Sequence, residues 1–141
     1  LNERYTKYKN GATAKRIGDS LKWNDAVDGP WYNFAAEKLL EVNRYKYKQN
    51  KAQRMSLFQT APKELVETSP YDRYWGIGLS HDHKNVTDRS KWGTNAFGKL
   101  LMKLRDDMMK EGKYVGEIKT MKITMSKNGK CSADNLSPEN K

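Results

Sequence analysis

Trp92-Gly93-Thr94-Asn95-Ala96-Phe97-Gly98-Lys99-Leu100-Leu101-Met102-Lys103-Leu104-Arg105-Asp106-Asp107-Met108 is the stretch that decides the fold class. Phe97, Leu100, Leu101, Leu104 and Met108 recur at steps of three, four and seven, which puts them on one helical face and marks this helix as core. Thr94 or Asn95 stands at its start, where a side-chain oxygen can accept from first-turn N–H groups that have no partner inside the helix. Upstream, across the polar loop Ser80 to Lys91, lies Glu67-Thr-Ser-Pro-Tyr-Asp72-Arg-Tyr-Trp75-Gly76-Ile-Gly78. Together the two stretches hold Glu67, Asp72, Trp75, Trp92, Asn95 and the glycines at 76, 78, 93 and 98, a mixture that a plain core seldom needs.

The rest of the chain reads as further helices. Gly11 to Leu21 carries Ala12, Ala14, Ile17 and Leu21 at helical spacing, and Lys22 to Pro30 interrupts it with the turn signal Asp28-Gly29-Pro30. Trp31 to Asn50 follows i, i+4 and i+7 steps through Phe34, Ala35, Leu39, Val42 and Lys46, which predicts the longest helix, and Lys51 to Thr60 predicts a short one. Glu64 to Glu67 and Tyr74 to Gly78 read as brief extended segments. Beyond Glu111, Met121, Ile123 and Met125 alternate with Lys122 and Thr124, a pattern that permits one edge strand. Ser126 to Lys141 is polar, and disorder is expected there. The expected class is mainly α, a compact single-domain helical fold with one or two short strands; the domain spans 1–110 and a polar extension spans 111–141.

A chain of 141 residues can bury roughly 65–70% of its unfolded surface and build a real core. Its one cysteine, Cys131, cannot form an internal bridge, which favours a reducing, cytoplasmic setting. No apolar run approaches the roughly 20 residues that span a bilayer. The net charge of +10, from 27 basic and 17 acidic residues, attracts phosphate-bearing partners. Basic residues interleave with aromatics in Tyr5-Thr-Lys7-Tyr8-Lys9 and Tyr45-Lys46-Tyr47-Lys48, a texture that suits either base stacking or a solvated helix face. The first residue is Leu1 and not Met, which suggests a fragment or a processed product.

Five blocks carry a resemblance. They are Ala14-Lys15-Arg16-Ile17-Gly18; Trp31 with Lys46-Tyr47-Lys48-Gln49-Asn50; Leu65-Val66-Glu67; Asp72-Arg73-Tyr74-Trp75-Gly76-Ile77-Gly78; and Trp92 to Met102 with Arg105. In order and approximate spacing, over about residues 11 to 108, they resemble the YbiA-like, or NADAR, family. The resemblance implies a mainly helical domain that hydrolyses N-glycosidic bonds without a cofactor. Its substrates would be phosphorylated ribosylamino-pyrimidine intermediates of riboflavin synthesis, or ADP-ribosyl bases.

Such a reaction has its own requirements. Breaking a ribose C–N bond builds positive charge on the sugar, so a carboxylate is needed to stabilise it and to take a proton from water. The leaving base is held by stacking, and the phosphate by N–H donors or by Lys and Arg. Asp72 and Glu67 are the candidate catalytic carboxylates, on either side of a Ser69-Pro70 turn that can fold them toward one cleft. Candidate substrate-binding residues are Trp75 for stacking, Gly76 and Gly78 for close backbone approach or positive φ, and Trp92, Asn95 and Lys46. Asn95 offers a donor and an acceptor at a helix start, where free N–H groups favour an anion. Each has a structural alternative: Glu67 as a cap or a partner of a nearby Arg, Trp75 as core, Asn95 as a helix cap.

Other constellations carry less. His81-Asp82-His83 is a poor match to zinc-ligand spacing, so no metal is expected. Gly76-Ile-Gly78 lacks the third glycine of a dinucleotide fingerprint. The family's upstream Phe-Ser-Asn-Phe and Ser-x-Glu-His-Tyr segments, the second bearing what the resemblance implies is a principal catalytic Glu, have no counterpart in order; Asn33-Phe34-Ala35-Ala36-Glu37 follows the Ala14–Gly18 block instead of preceding it, so Glu37 is no substitute. This departure suggests a lost or separately supplied segment, or an inactive relative that only binds ADP-ribose or a nucleotide. A basic nucleic-acid-binding protein is the remaining alternative.

Overall fold

The computed structural model places four helices at the runs expected from spacing. They are α1 (Gly11–Asp19), α2 (Trp31–Gln49), α3 (Lys51–Gln59) and α4 (Ala96–Met109). A 3-10 turn at Gly112–Tyr114 leads into α5 (Val115–Thr120). The structure describes residues 11–22, 24, 30–121, 123–125 and 131–133. The Tyr5–Lys9 run, the Asp28-Gly29 turn and most of the tail beyond Ser126 lie outside the described residues. Those described are mainly helical; Ile123–Met125 pairs antiparallel with Cys131–Ala133, with Ile123 opposite Ala133. No helix among them is long and apolar enough to cross a membrane.

The chain divides into two compact units, residues 1–37 and 38–141. In the first, Lys15 Nζ donates to Asp19 Oδ2 at 2.7 Å one turn along α1, an exposed pair worth about 0.3–0.5 kcal/mol. Pro30 precedes α2, and its carbonyl opens the helix by accepting from the N–H groups of Asn33 and Phe34. The Trp31 and Phe34 rings stand 6.1 Å apart. They border a cleft of about 680 Å³ that Lys15, Asp19, Leu21 and Lys22 also line.

In the second unit the core gathers Tyr47 of α2, Leu57 and Phe58 of α3, Leu104, Met108 and Met109 of α4, and Tyr114 and Ile118. Leu104 and Met108, both on the predicted stripe, are fully buried, each contributing about 1.5–3 kcal/mol. The predicted stripe of α2 holds at Ala35, which is buried, and Leu39, which is half-buried, but fails at Phe34, Val42 and Lys46. Val42 is 62% exposed and Phe34 40%, whereas the inward face runs through Leu40, Asn43 and Tyr47. A polar residue can occupy that face because Asn43 Nδ2 donates back to the Leu39 carbonyl at 2.8 Å.

The helical fold also runs past residue 110, where the sequence reading begins a polar extension. Tyr114 edges onto Phe58 with ring centroids 5.7 Å apart, and Ile118 is buried on α5. Two glycines, Gly112 and Gly116, depress the helical signal of this short segment; tertiary burial overrides them.

Arg54 is the polar centre of this unit. It is 6% exposed, and its Nε and Nη2 donate to Glu117 Oε2 and Oε1 at 2.8 and 2.6 Å. Its Nη1 donates to the carbonyls of Tyr47 and Lys48, the last turn of α2, at 2.8 and 3.1 Å. The guanidinium also lies 4.7 Å from the Tyr114 ring centroid. One side chain therefore joins α2, α3 and α5.

Removing it leaves Glu117 and two carbonyls without their donors, so Arg54→Met lowers the unfolding free energy by about 3 kcal/mol in urea denaturation at pH 7. Arg54 holds the Glu117 carboxyl below its ordinary range, through hydrogen bonding first. A carboxyl depressed in the folded state contributes stability in full above its unfolded pKa, about 4.3, and loses it as pH falls through the lower folded value. Arg54→Met accordingly flattens the acid decline of stability below pH 5; a midpoint equal to wild type at pH 7 would remove this role.

Candidate active site

The start of α4 determines the geometry of the loop before it. The N–H groups of Gly93, Thr94, Asn95, Ala96 and Phe97 donate to the carbonyls of Ile77, Arg73, Gly76, Tyr74 and Trp75, at 2.8, 2.7, 3.1, 2.9 and 3.0 Å respectively. The orphan donors of a helix start are thus satisfied by carbonyls of the Asp72–Gly78 loop. No N–H of Ala96 or Phe97 is left for an anion, which corrects the expectation of free donors here. Tyr74 to Gly78 is consequently not a strand, nor is Glu64 to Glu67; Ile77 N–H donates to the Glu67 carbonyl at 2.9 Å across irregular backbone.

Asn95 occupies the expected cap position but caps nothing with its side chain. Its φ is 52°, the left-handed region that Asn tolerates. Its Oδ1 accepts from Glu67 N–H at 3.0 Å and its Nδ2 donates to the Leu65 carbonyl at 2.9 Å. At 3% exposure the amide holds the 65–67 segment against the helix start.

The glycines follow from these approaches. A methyl at Gly76 would meet the Glu67 and Asp72 carbonyls at 2.8 and 3.0 Å and Glu67 Cγ at 3.3 Å. Gly78 has φ +73°, and Arg73 Cγ lies 2.5 Å from where its Cβ would be. Gly93 abuts the Arg73 carbonyl, and Gly98 abuts the Leu65 carbonyl and the Asn95 amide. Gly76 and Gly78 therefore supply the close approach and the positive φ expected of them, but toward the protein's own Glu67 and Arg73.

The backbone carbonyls of Glu67 and Asp72 both approach Gly76, and Glu67 Cγ packs against the same residue. Asp72 Oδ1 accepts from the N–H groups of Tyr74 and Trp75 at 2.9 and 2.7 Å, and both acidic residues are half-buried. Trp75 follows on the same loop, half-buried, edge-on to Tyr74 with ring centroids 4.9 Å apart. Trp92 anchors the 80–91 loop: Nε1 donates to the Val86 carbonyl at 2.7 Å, and the Arg89 guanidinium, paired with Glu64, lies 5.0 Å from its ring centroid. Lys46 is exposed on α2 with its ammonium 5.3 Å from the Tyr47 ring centroid, and among the described residues no hydrogen bond joins it to the Glu67–Gly78 loop.

Two side chains of the resembling blocks were assigned no role from sequence. Arg73 Nη2 donates to the Lys91 carbonyl at 3.3 Å and ties the two loops together. Arg105, 3% exposed, donates from Nη1 to Thr60 Oγ1 and the Lys63 carbonyl at 3.0 and 2.8 Å, and from Nε to Asp106 at 2.9 Å. The signal for Arg105 was available: a cation one residue after Leu104 on an otherwise apolar face. Among the described residues no group of three or more His, Cys, Asp and Glu could hold a metal ion. In the 81–83 run His83 Nδ1 accepts from Asn85 N–H at 3.1 Å and Asp82 accepts from Ser80 at 2.6 Å.

The NADAR domain model matches residues 3–109. An N-glycosidase of Acanthamoeba polyphaga mimivirus is 38% identical over 78 residues, covering 55% of this chain and 46% of that protein. Protein irg-1 of Caenorhabditis elegans is 31% identical over 109 residues, covering 77% and 51%. N-glycosidase YbiA of Escherichia coli is 33% identical over 78 residues, covering 55% and 42%. The chain spans about half the length of these curated relatives. No solved structure matches it.

Loss of the Asn95 amide leaves a part-buried carbonyl and a part-buried N–H unpaired and puts an ordinary residue at positive φ. Asn95→Ala is expected to destabilise by about 3 kcal/mol, with raised amide exchange at Glu67. Asn95→Gly, which suits the backbone, should cost measurably less; equal losses in the two variants would show that the left-handed backbone contributes nothing.

Proposed function

We propose, from the premise that this chain belongs to the NADAR domain family, that it hydrolyses the N-glycosidic bond of a phosphorylated ribosyl-base compound. The observation that carries this reading is one loop on which the Glu67 side chain packs at Gly76 and Asp72 Oδ1 fixes the turn that carries Trp75. Its family premise is the match over residues 3–109, and N-glycosidases of a virus and a bacterium are among its relatives.

The chemistry fits the residues present. As the C–N bond lengthens, the ribose acquires oxocarbenium character, and a nearby carboxylate lowers the energy of that cation while activating water. Trp75 offers an indole on which a planar base can stack, worth about 1–3 kcal/mol. The basic surplus of the chain draws phosphate-bearing substrates toward it. The substrate class is a ribosylamino-pyrimidine phosphate, as in riboflavin synthesis, or a related ADP-ribosyl base.

Incubation of the intact gene product with a ribosylamino-pyrimidine 5′-phosphate should release ribose 5-phosphate and free base. Trp75→Ala raises KM by about tenfold, equivalent to the loss of one stacking contact of about 1.4 kcal/mol. The double variant Glu67→Gln with Asp72→Ala lowers kcat by about 100-fold or more. Binding without hydrolysis by the wild-type protein would replace this reading with that of an inactive nucleotide-binding module.

A further inference from the structure

The backbone carbonyls of Glu67 and Asp72 both approach Gly76, but the two carboxylates differ in what they are already doing. Asp72 Oδ1 accepts from two successive backbone N–H groups, Tyr74 at 2.9 Å and Trp75 at 2.7 Å. That is the geometry of a local Asx turn, in which the side chain stands in for a backbone carbonyl and fixes the bend. The bend decides where Trp75 leaves the main chain.

Glu67 is held the other way round. Its backbone does the anchoring, the N–H donating to Asn95 Oδ1 at 3.0 Å and the carbonyl accepting from Ile77 N–H at 2.9 Å. Its side chain passes over the bare Cα of Gly76, where a methyl would meet Cγ at 3.3 Å. Among the described residues its carboxylate makes no hydrogen bond and no ion pair.

We infer that Asp72 is a positioning residue that shapes the loop through the Tyr74 and Trp75 amides, and that Glu67 is the carboxylate that meets the attacking water. The division rests on the N-glycosidase reading above and assigns different roles to the two acids within it. In the step itself the water oxygen bonds to the anomeric carbon as the C–N bond breaks, its electron pair leaving with the base nitrogen. The Glu67 carboxylate takes the water proton and returns it to that nitrogen, so one water is consumed and the carboxylate is regenerated. A group whose oxygens are not tied into the main chain suits that exchange. A group accepting two backbone N–H bonds suits holding a bend.

The test uses the intact gene product, a ribosylamino-pyrimidine 5′-phosphate as substrate, and amide hydrogen exchange at Tyr74 and Trp75. Asp72→Ala loses about tenfold or more of the exchange protection at both amides, together with turnover. Asp72→Asn keeps an acceptor at the Oδ1 position, so protection returns and with it most of the turnover lost in Asp72→Ala. Glu67→Gln leaves protection and thermal midpoint near wild type while kcat falls about 100-fold at a KM within about threefold of wild type. If Asp72→Asn has protected amides yet is as inactive as Asp72→Ala, the Asp72 carboxylate itself does chemistry and the inference is overturned. Wild-type turnover in Glu67→Gln overturns it equally. Should the wild-type protein not hydrolyse the probe at all, the functional reading fails on its own account; the exchange data then decide Asp72, and unchanged protection in Asp72→Ala sinks the positioning role.

Discussion

A helix start presents N–H groups that the helix cannot satisfy, and here the first N–H groups of α4 are spent on the loop that carries the candidate site. Five consecutive carbonyls, from Arg73 to Ile77, accept from five consecutive amides, Gly93 to Phe97. The pairing is possible only if the two backbones come close. Gly93 and Gly98 permit it by leaving room for the Arg73 and Leu65 carbonyls, and Asn95 supports it by taking a left-handed conformation in line with the loop. The Asn95 amide then fastens residues 65 and 67 to the same point, so one helix end organises two separate stretches of chain. Neither stretch has a ladder of its own to hold it.

The body of α4 fixes the position of that end. Leu104, Met108 and Met109 sink into a core shared with α2, α3 and α5, and a helix anchored along its buried face cannot tilt without opening that core. Two buried guanidinium groups complete the arrangement. Arg105 fastens α4 to the turn at Thr60 and Lys63, immediately ahead of Leu65, while Arg54 clamps α3 to the end of α2 and to Glu117 on α5. A buried cation is tolerable only with carboxylate or carbonyl partners, and each of these has both. The basic surplus of the chain is therefore partly structural.

The helices were legible because their signal is local. The steps of three, four and seven along Phe97 to Met108 are a property of the stretch itself, and α4 begins and ends within two residues of where they point. The inward face of α2 was less legible: apolar Val42 looked like core and polar Asn43 did not, and only the bond from Asn43 to the Leu39 carbonyl reverses the two. The segment at Tyr114 to Ile118 was hidden by its glycines, since its stability comes from Phe58 and Arg54 far away in sequence. In the candidate site, the common approach of the Glu67 and Asp72 backbones to Gly76 accords with the Ser69-Pro70 turn between them. The role of Asn95 could not, because its two partners, Leu65 and Glu67, lie 30 and 28 residues upstream.

That separation bears on what the motif itself means. Gly76, Gly93, Asn95 and Gly98 are each accounted for by an approach or a bond within the protein, so their presence attests to the loop geometry and says nothing directly about chemistry. A loop so pinned has lost most of its freedom before any ligand arrives, and little ordering entropy remains to oppose binding. The glycines would make an isolated chain more flexible; in contact with the α4 start they permit the rigidity instead. The side chains of the loop differ in how far this scaffold consumes them. Asp72 is half consumed by the turn, and Trp92 by Val86 and Arg89. Glu67 is anchored through its backbone, with its carboxylate left over, and among the acids of the loop it is the one the scaffold does not require for its own shape.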